Sequence, residues 1–262
     1  MIYVMSDIHG NMRRFRSVMA QIDLQPEDTL YVLGDVIDRY PFGIDILEEI
    51  MAAPNIKMLL GNHEYMMLNS LYPLKDGLPW YRVQNWSTLT QWYHNAGEIT
   101  EDALAERSKE RCMEIFDYLK ALPLNIDVEV NGNTYKLVHA APVEFFTSNE
   151  TWYFDDETAY AVWKRDFDFS LLTGDYVMVF GHTPTIMFQD NKILSIWTSE
   201  DGKAIGIDCG SGLDEDISPK CPVQGRLACL RLDDMREFYS KEKTEFVMDL
   251  SESEIQSDYE NA

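Results

Sequence analysis

Three times within the first 64 residues, a short apolar run ends in a polar motif and gives way to a segment of helical periodicity. Residues 2–5 lead into a turn carrying Asp7, His9 and Gly10, after which Met12, Phe15, Val18, Met19 and Ile22 form a helical stripe. Residues 29–33 lead into Gly34-Asp35-Val36-Ile37-Asp38-Arg39, and residues 43–53 again have helical spacing. Residues 56–60 lead into Gly61-Asn62-His63-Glu64 and a third helical segment. Strands alternating with helices predict an α/β fold of parallel strands joined by right-handed crossovers, with helices covering the sheet. In such sheets ligands bind beyond the carboxyl ends of the strands.

Further along, residues 80–122 read as helical, first rich in aromatics and then charged and amphipathic, so a helical insertion spanning about 73–122 is expected. Residues 124–130 and 134–139 flank Asn131-Gly132-Asn133 and predict a β-hairpin whose turn residues tolerate positive φ. Residues 176–180, 204–208 and 227–232 read as further strands. With 262 residues, 45% of them hydrophobic, the chain can bury a large core, and one catalytic domain over 1–240 is expected. The polar, mostly acidic residues 241–262 are expected to form a mobile tail.

Lys and Arg number 22 against 45 Asp and Glu, a formal charge of −23 that repels polyanions unless a local positive site overrides it. Nucleic acid and anionic membrane are therefore poor partners. The first residues are too short an apolar run for a signal peptide and no 18-residue apolar stretch follows, which predicts a cytoplasmic protein. Cys112, Cys209, Cys221 and Cys229 are scattered, without the spacing of a thiolate zinc site, and reduced thiols are expected.

Each strand that ends in a polar motif delivers side chains that bind metals: Asp7 and His9, Asp35 and Asp38, Asn62 and His63, His139, and His182. Four of the five histidines stand immediately after apolar runs; His94 alone does not, and a surface or packing role fits it. Carboxylates, imidazoles and an amide oxygen form a mixed O/N set suited to Mn, Fe or Zn and to paired-metal sites. Any one motif has an innocent reading, since an Asp-x-His caps helices and Gly-Asp is a common turn pair. Glu64 reads as a helix N-terminal residue, and the aromatics of 144–154 (Phe145, Phe146, Trp152, Tyr153) read first as packing and second as a substrate-gripping rim.

The ordered set Asp7-x-His9, Gly34-Asp35-x-x-Asp38-Arg39, Gly61-Asn62-His63-Glu64, His139 in VHAAP, and Gly181-His182-Thr183 resembles the phosphoprotein phosphatase family of dinuclear metallophosphoesterases, especially its bacterial and phage serine/threonine phosphatases, over residues 1 to about 210. The resemblance implies a calcineurin-like fold, a sandwich of two β-sheets flanked by helices with the metal loops at one edge. It implies two divalent ions, manganese first, one held by Asp7, His9 and Asp35 and the other by Asp35, Asn62, His139 and His182. It further implies direct attack on phosphorus by a hydroxide between the metals, Arg39, Asn62 and Arg165 on the phosphoryl group, and His63, oriented by Asp38, as proton donor to the leaving group. The implied activity is hydrolysis of phosphoserine, phosphothreonine or phosphotyrosine in a phosphoprotein. Symmetrical dinucleoside polyphosphate hydrolysis and a catalytically idle scaffold are the alternatives. Tyr40 and Ala141 depart from the family's usual glycines, and Tyr40 could narrow the pocket or stack on an aryl phosphate.

Overall fold

The computed structural model describes residues 1–74, 81–189, 193–213 and 225–241. The opening strand–helix units are β1 (Ile2–Met5), α1 (Met12–Ile22), β2 (Thr29–Val32), α2 (Gly43–Ala52), β3 (Ile56–Met58) and α3 (Asn62–Ser70). A short hairpin of β4 (Leu71–Pro73) and β5 (Tyr81–Val83) precedes α4 (Trp86–His94), α5 (Glu98–Ala105) and α6 (Lys109–Lys120). The insertion is therefore not helical throughout, because Tyr81–Val83 pairs antiparallel with Leu71–Pro73. Then come β6 (Asn125–Val130), β7 (Asn133–Val138), α7 (Glu157–Trp163), β8 (Val177–Phe180), β9 (Trp197–Thr198), β10 (Ala204–Gly206), β11 (Ala228–Arg231) and β12 (Arg236–Tyr239). The acidic segment lies outside the described residues from position 242, as does Cys221; Cys112, Cys209 and Cys229 are buried free thiols.

The strands form two five-stranded sheets, ordered β12-β11-β1-β2-β3 and β6-β7-β8-β10-β9. In the first, β1, β2 and β3 are parallel; in the second, β7, β8 and β10 are parallel. Side chains alternate between faces along each strand, and the sequence exploits that period of two. Val4, Tyr31 and Leu33 meet Leu137, Val179 and Ile205 between the sheets. Tyr3, Met5, Leu30 and Val32 face the opposite way, into a core shared with Phe15 and Val18 of α1 and Ile46 and Leu47 of α2. Met178 and Phe180 point out of the second sheet toward Tyr160 of α7. The result is the layered sandwich that the family resemblance implied and that alternation alone could not supply. No helix among the described residues is long and apolar enough to cross a membrane.

The hairpin between β6 and β7 turns through Asn131 at φ 51° and Gly132 at φ 80°, the two successive positive values that a two-residue type I′ turn requires. It starts the second sheet with β7 in register beside β8, so that His139 follows directly on the buried Val138.

Parallel packing sends the carboxyl ends of β1, β2, β3, β7, β8 and β10 to one edge, where the loops are laced together. The Asp7, His9 and Gly10 N–H groups donate to the Gly34, Asp35 and Val36 carbonyls, and Gly181 N–H donates to His139 O. Glu64 ties two of these loops from the first turn of α3. One carboxylate oxygen accepts from Asp35 N–H (2.9 Å) and Gly61 N–H (3.1 Å), the other from Val36 N–H (2.8 Å) and Ile37 N–H (3.3 Å). Half of a capping box is thus enlarged into a clamp on the Asp35 loop. Gly61 has to be glycine here, because a Cβ would sit 2.3 Å from Asp35 N and Oδ1.

Two unfolding measurements check these points. Leu137→Ala empties a fully buried position between the sheets and should cost about 2–5 kcal/mol in denaturant unfolding. Glu64→Gln turns an –NH₂ group against two backbone donors and should cost about 1–3 kcal/mol per donor left unsatisfied; an unchanged midpoint would show that the clamp carries no stability.

Candidate metal centre and active site

The ten side chains singled out in the sequence meet at this edge. Asp7, His9, Asp35, Arg39, Asn62, His63, Arg165 and His182 line one cavity of about 170 Å³, together with Asn95, Trp163, Pro184, Asp208, Gly210 and Leu213. Asp38 and His139 stand behind this lining, both fully buried. The first sheet delivers Asp7, Asp35 and Asn62 beyond β1, β2 and β3; the second delivers His139, His182 and Asp208 beyond β7, β8 and β10.

Asp35 is at the centre. Its Oδ2 lies 3.8 Å from His9 Nε2, and its Oδ1 lies 3.5 Å from His139 Nε2. Asp7 Oδ1 is 3.9 Å from His9 Nε2, and Asn62 Oδ1 is 3.0 Å from His139 Nε2. The two oxygens of one carboxylate thus face two different groups of donors. Within 4.8 Å of one another lie the donor atoms of Asp35, His139 and His182, and likewise those of His9, Asp35 and His63. Every member is an oxygen or nitrogen donor, as Mn, Fe and Zn accept.

Three imidazoles have one ring nitrogen held by a backbone carbonyl: His9 Nδ1 by Ile37 O (3.3 Å), His139 Nδ1 by Leu33 O (2.5 Å) and His182 Nε2 by Trp163 O (3.3 Å). An N–H donated there fixes the tautomer and leaves the other nitrogen with a lone pair for a cation, the arrangement usual for metal-ligating histidines. His63 differs: its Nδ1 donates to the Asp38 carboxylate (2.6 Å) while its Nε2 lies 3.4 Å from an Arg39 nitrogen. Asp38 in turn accepts from Trp92 Nε1–H (2.8 Å) and Thr100 Oγ–H (2.6 Å), both supplied by the inserted helices.

The backbone here is strained. Asp7, His9, Asp35, Asp38, Arg39 and His182 all have φ between 54° and 69°, in the left-handed region where non-glycine residues are uncommon. Such residues cost on the order of 1–3 kcal/mol each and persist where the surroundings hold them, typically at functional sites. Asp7 is held by Ser6 Oγ–H (2.5 Å) and His182 N–H (3.0 Å), both donating to its Oδ2. That crossing between sheets is close enough that a Cβ on Gly181 would meet Ser6 Oγ at 2.0 Å.

Electrostatically the cluster is crowded. Burial, then the neighbouring Asp35 charge, pushes the Asp7 carboxyl up, and burial raises Asp35. Burial and the nearby Asp35 push Glu64 up to about 8, against the four N–H bonds it accepts. Burial and Asp7 push Asp208 up to about 7. Burial likewise lifts Asp38 to about 7 and depresses His63 to about 3.

Several site residues escaped the sequence reading. Asp208 ends an apolar run, Ala-Ile-Gly-Ile, just as the other site residues do, and the same rule could have found it. Glu64 reads in the sequence only as a helix-start residue, and its clamp on the Asp35 loop carries no local signal. Trp92 and Thr100 carry no local signal, since they reach Asp38 from 54 and 62 residues away. Tyr40 is not among the described residues lining the cavity. Phe145 and Phe146 pack beside Tyr160 and Phe167, whereas Trp152 and Tyr153 are exposed, and His94 is exposed on α4.

Comparison with known proteins agrees with this geometry. The chain is 26% identical over 226 residues to serine/threonine-protein phosphatase 2 of Salmonella typhimurium, covering 83% of this chain and 90% of that protein. It is 27% identical over 187 residues to a symmetrical bis(5'-nucleosyl)-tetraphosphatase of Acidovorax ebreus, covering 71% of this chain but only 58% of that protein's length. A metallophosphoesterase structure from Sphaerobacter thermophilus superposes with a TM-score of 0.53 at 17% identity, covering 92% of this chain and 88% of that one, which shows a shared fold. Residues 1–205 match the calcineurin-like phosphoesterases, enzymes that use a dinuclear divalent metal centre, and the chain belongs to that metal-binding hydrolase family.

Proposed function

We propose that this chain is a manganese-dependent phosphomonoesterase of the protein phosphatase kind, acting on phosphoserine and phosphothreonine and in reach of phosphotyrosine, in the cytoplasm. The observation that carries the proposal is the Asp35 carboxylate, whose two oxygens face His9 and His139, imidazoles with backbone-fixed tautomers, inside a cavity that also presents Arg39 and Arg165. Asp7, His9 and Asp35 would hold one cation, and Asp35, Asn62, His139 and His182 the other. When bound, two such ions lower the pKa of water and polarise phosphoryl oxygens.

The chain's own residues supply the rest. Arg39 and Arg165 offer planar forks of donors that suit a phosphoryl group bidentately and give an acidic protein a local anion trap; Asn62 stands within the same cavity. In the net reaction, water oxygen bonds to phosphorus as the ester P–O bond breaks, and the bond's electron pair goes to the leaving oxygen. That oxygen takes a proton from His63 Nε2, water gives up a proton to solvent, and His63 is reprotonated from solvent. Asp38 holds the opposite ring nitrogen and keeps Nε2 aimed into the cavity.

Coverage favours a phosphoprotein substrate, because the chain spans most of the serine/threonine phosphatase it resembles and a little over half of the tetraphosphatase. Symmetrical dinucleoside tetraphosphate is the second reading, favoured by the 27% identity to the Acidovorax protein. The buried free thiols of Cys112, Cys209 and Cys229 fit a reducing compartment.

Two predictions test this. With Mn²⁺ supplied, the protein should hydrolyse 4-nitrophenyl phosphate, chelation should abolish turnover, Asp35→Asn should leave none measurable, and His63→Asn should lower kcat by about 10²–10⁴ on poor leaving groups; normal turnover by both variants would refute the assignment. In a competition assay, phosphoserine and phosphothreonine peptides should be consumed ahead of diadenosine tetraphosphate, and the reverse order would establish the second reading.

A further inference from the structure

Among the described residues, the inserted helices line the cavity with Asn95 at the end of α4 and bond to the Asp38 carboxylate through two side chains. Thr100 of α5 and Asp38 close a two-bond ring: Asp38 N–H donates to Thr100 Oγ (3.0 Å), and Thr100 Oγ–H donates to Asp38 Oδ1 (2.6 Å). Trp92 of α4 donates its indole N–H to Asp38 Oδ2 (2.8 Å), the oxygen that also receives His63 Nδ1–H (2.6 Å). All four groups are buried, Asp38 and Trp92 completely. Trp92 is itself fixed, because the α4–α5 turn lies so close that a Cβ on Gly97 would fall 2.5 Å from the indole ring.

A carboxylate on a single strained loop residue, at φ 69°, can rotate about its own side-chain torsions. Two donors on separate helices remove that freedom and leave one oxygen facing the imidazole. We propose that Trp92 and Thr100 are positioning residues for proton donation: through Asp38 they hold the His63 ring with Nε2 toward the leaving oxygen, so that the inserted helices form part of the catalytic apparatus. The inference rests on the phosphomonoesterase reading above and deepens it. Neither residue touches substrate; both act through the Asp38–His63 pair.

Leaving-group dependence separates this role from mere support of the fold. The nitrophenolate of 4-nitrophenyl phosphate departs with little need of a proton, whereas the phenolate of phenyl phosphate needs one. Thr100→Val, which keeps the shape and loses the hydroxyl, should lower kcat on phenyl phosphate by about tenfold or more while changing turnover of 4-nitrophenyl phosphate much less. Trp92→Phe should show the same selectivity, and Thr100→Ser should restore the wild-type ratio. Metal content, measured on each variant, should stay at the wild-type level. Equal slowing on both substrates, or none, in the folded Thr100→Val protein would overturn the positioning role while leaving the phosphatase reading intact. A wild-type protein that hydrolyses neither ester with Mn²⁺ present would overturn that reading and this inference with it. Should Trp92→Phe fail to fold, the Thr100→Val and Thr100→Ser pair decides alone.

Discussion

Five carboxylates, those of Asp7, Asp35, Asp38, Glu64 and Asp208, are each no more than 5% exposed and share one loop cluster. Removing a charge from water is costly unless it is paired or strongly hydrogen-bonded, and like charges in a low-dielectric interior add to the cost. Backbone donors answer part of this demand, four at Glu64 and one each at Asp7 and Asp35 from a histidine N–H. Arg39 and Arg165 offset a further part, Arg39 acting on Asp35, Asp38 and Asp208, while burial pushes the nearby imidazoles toward their neutral forms. A set of buried carboxylates and neutral imidazoles with lone pairs turned inward is the electrostatic counterpart of a pair of divalent cations.

The fold exists around that requirement. Two sheets with three parallel strands each put six carboxyl ends along one edge, and the loops carrying Asp7, Asp35, Asn62, His139, His182 and Asp208 depart from those ends, whereas Arg165 follows α7 and Asn95 ends α4. Left-handed backbone at six site residues then turns side chains inward that an extended loop would splay. Such geometry survives because the loops are bonded to one another before they are bonded to anything else: Asp7, His9 and Gly10 to the β2 loop, Glu64 to the same loop, His139 to Leu33 across the sheets. The glycines at 61 and 181 allow the approach, each occupying space in which a Cβ would collide with Asp35 or with Ser6.

Much of this was legible in the sequence for a physical reason. Strand-end motifs such as Asp7-x-His9 or Gly61-Asn62-His63 are local, and hydrophobic period and turn chemistry announce where each one falls. The pairing of two sheets was not local and came only through family resemblance, because Val4 and Val179, which meet between the sheets, are 175 residues apart and look like ordinary strand residues. The hairpin at Tyr81–Val83 was hidden by an aromatic-rich stretch whose period fits strand and helix alike. Trp92 and Thr100 were invisible for a related reason: a buried tryptophan and threonine on a helix are unremarkable until their partner, Asp38, is known. Asp208 shows the converse, a residue whose local signal was present and whose surroundings give it meaning.

If divalent cations complete this buried acidic cluster, the folding equilibrium reports on them without any substrate. A ligand that binds the folded chain alone stabilises it by RT ln(1 + [L]/Kd), so a thousandfold excess over Kd adds about 4 kcal/mol. Thermal unfolding of metal-stripped protein titrated with Mn²⁺ measures this directly. The midpoint should climb steadily with the logarithm of Mn²⁺ concentration, with a much smaller climb in Asp35→Asn. A midpoint indifferent to Mn²⁺, Fe²⁺ and Zn²⁺ across the whole range would show that no divalent cation completes the cluster.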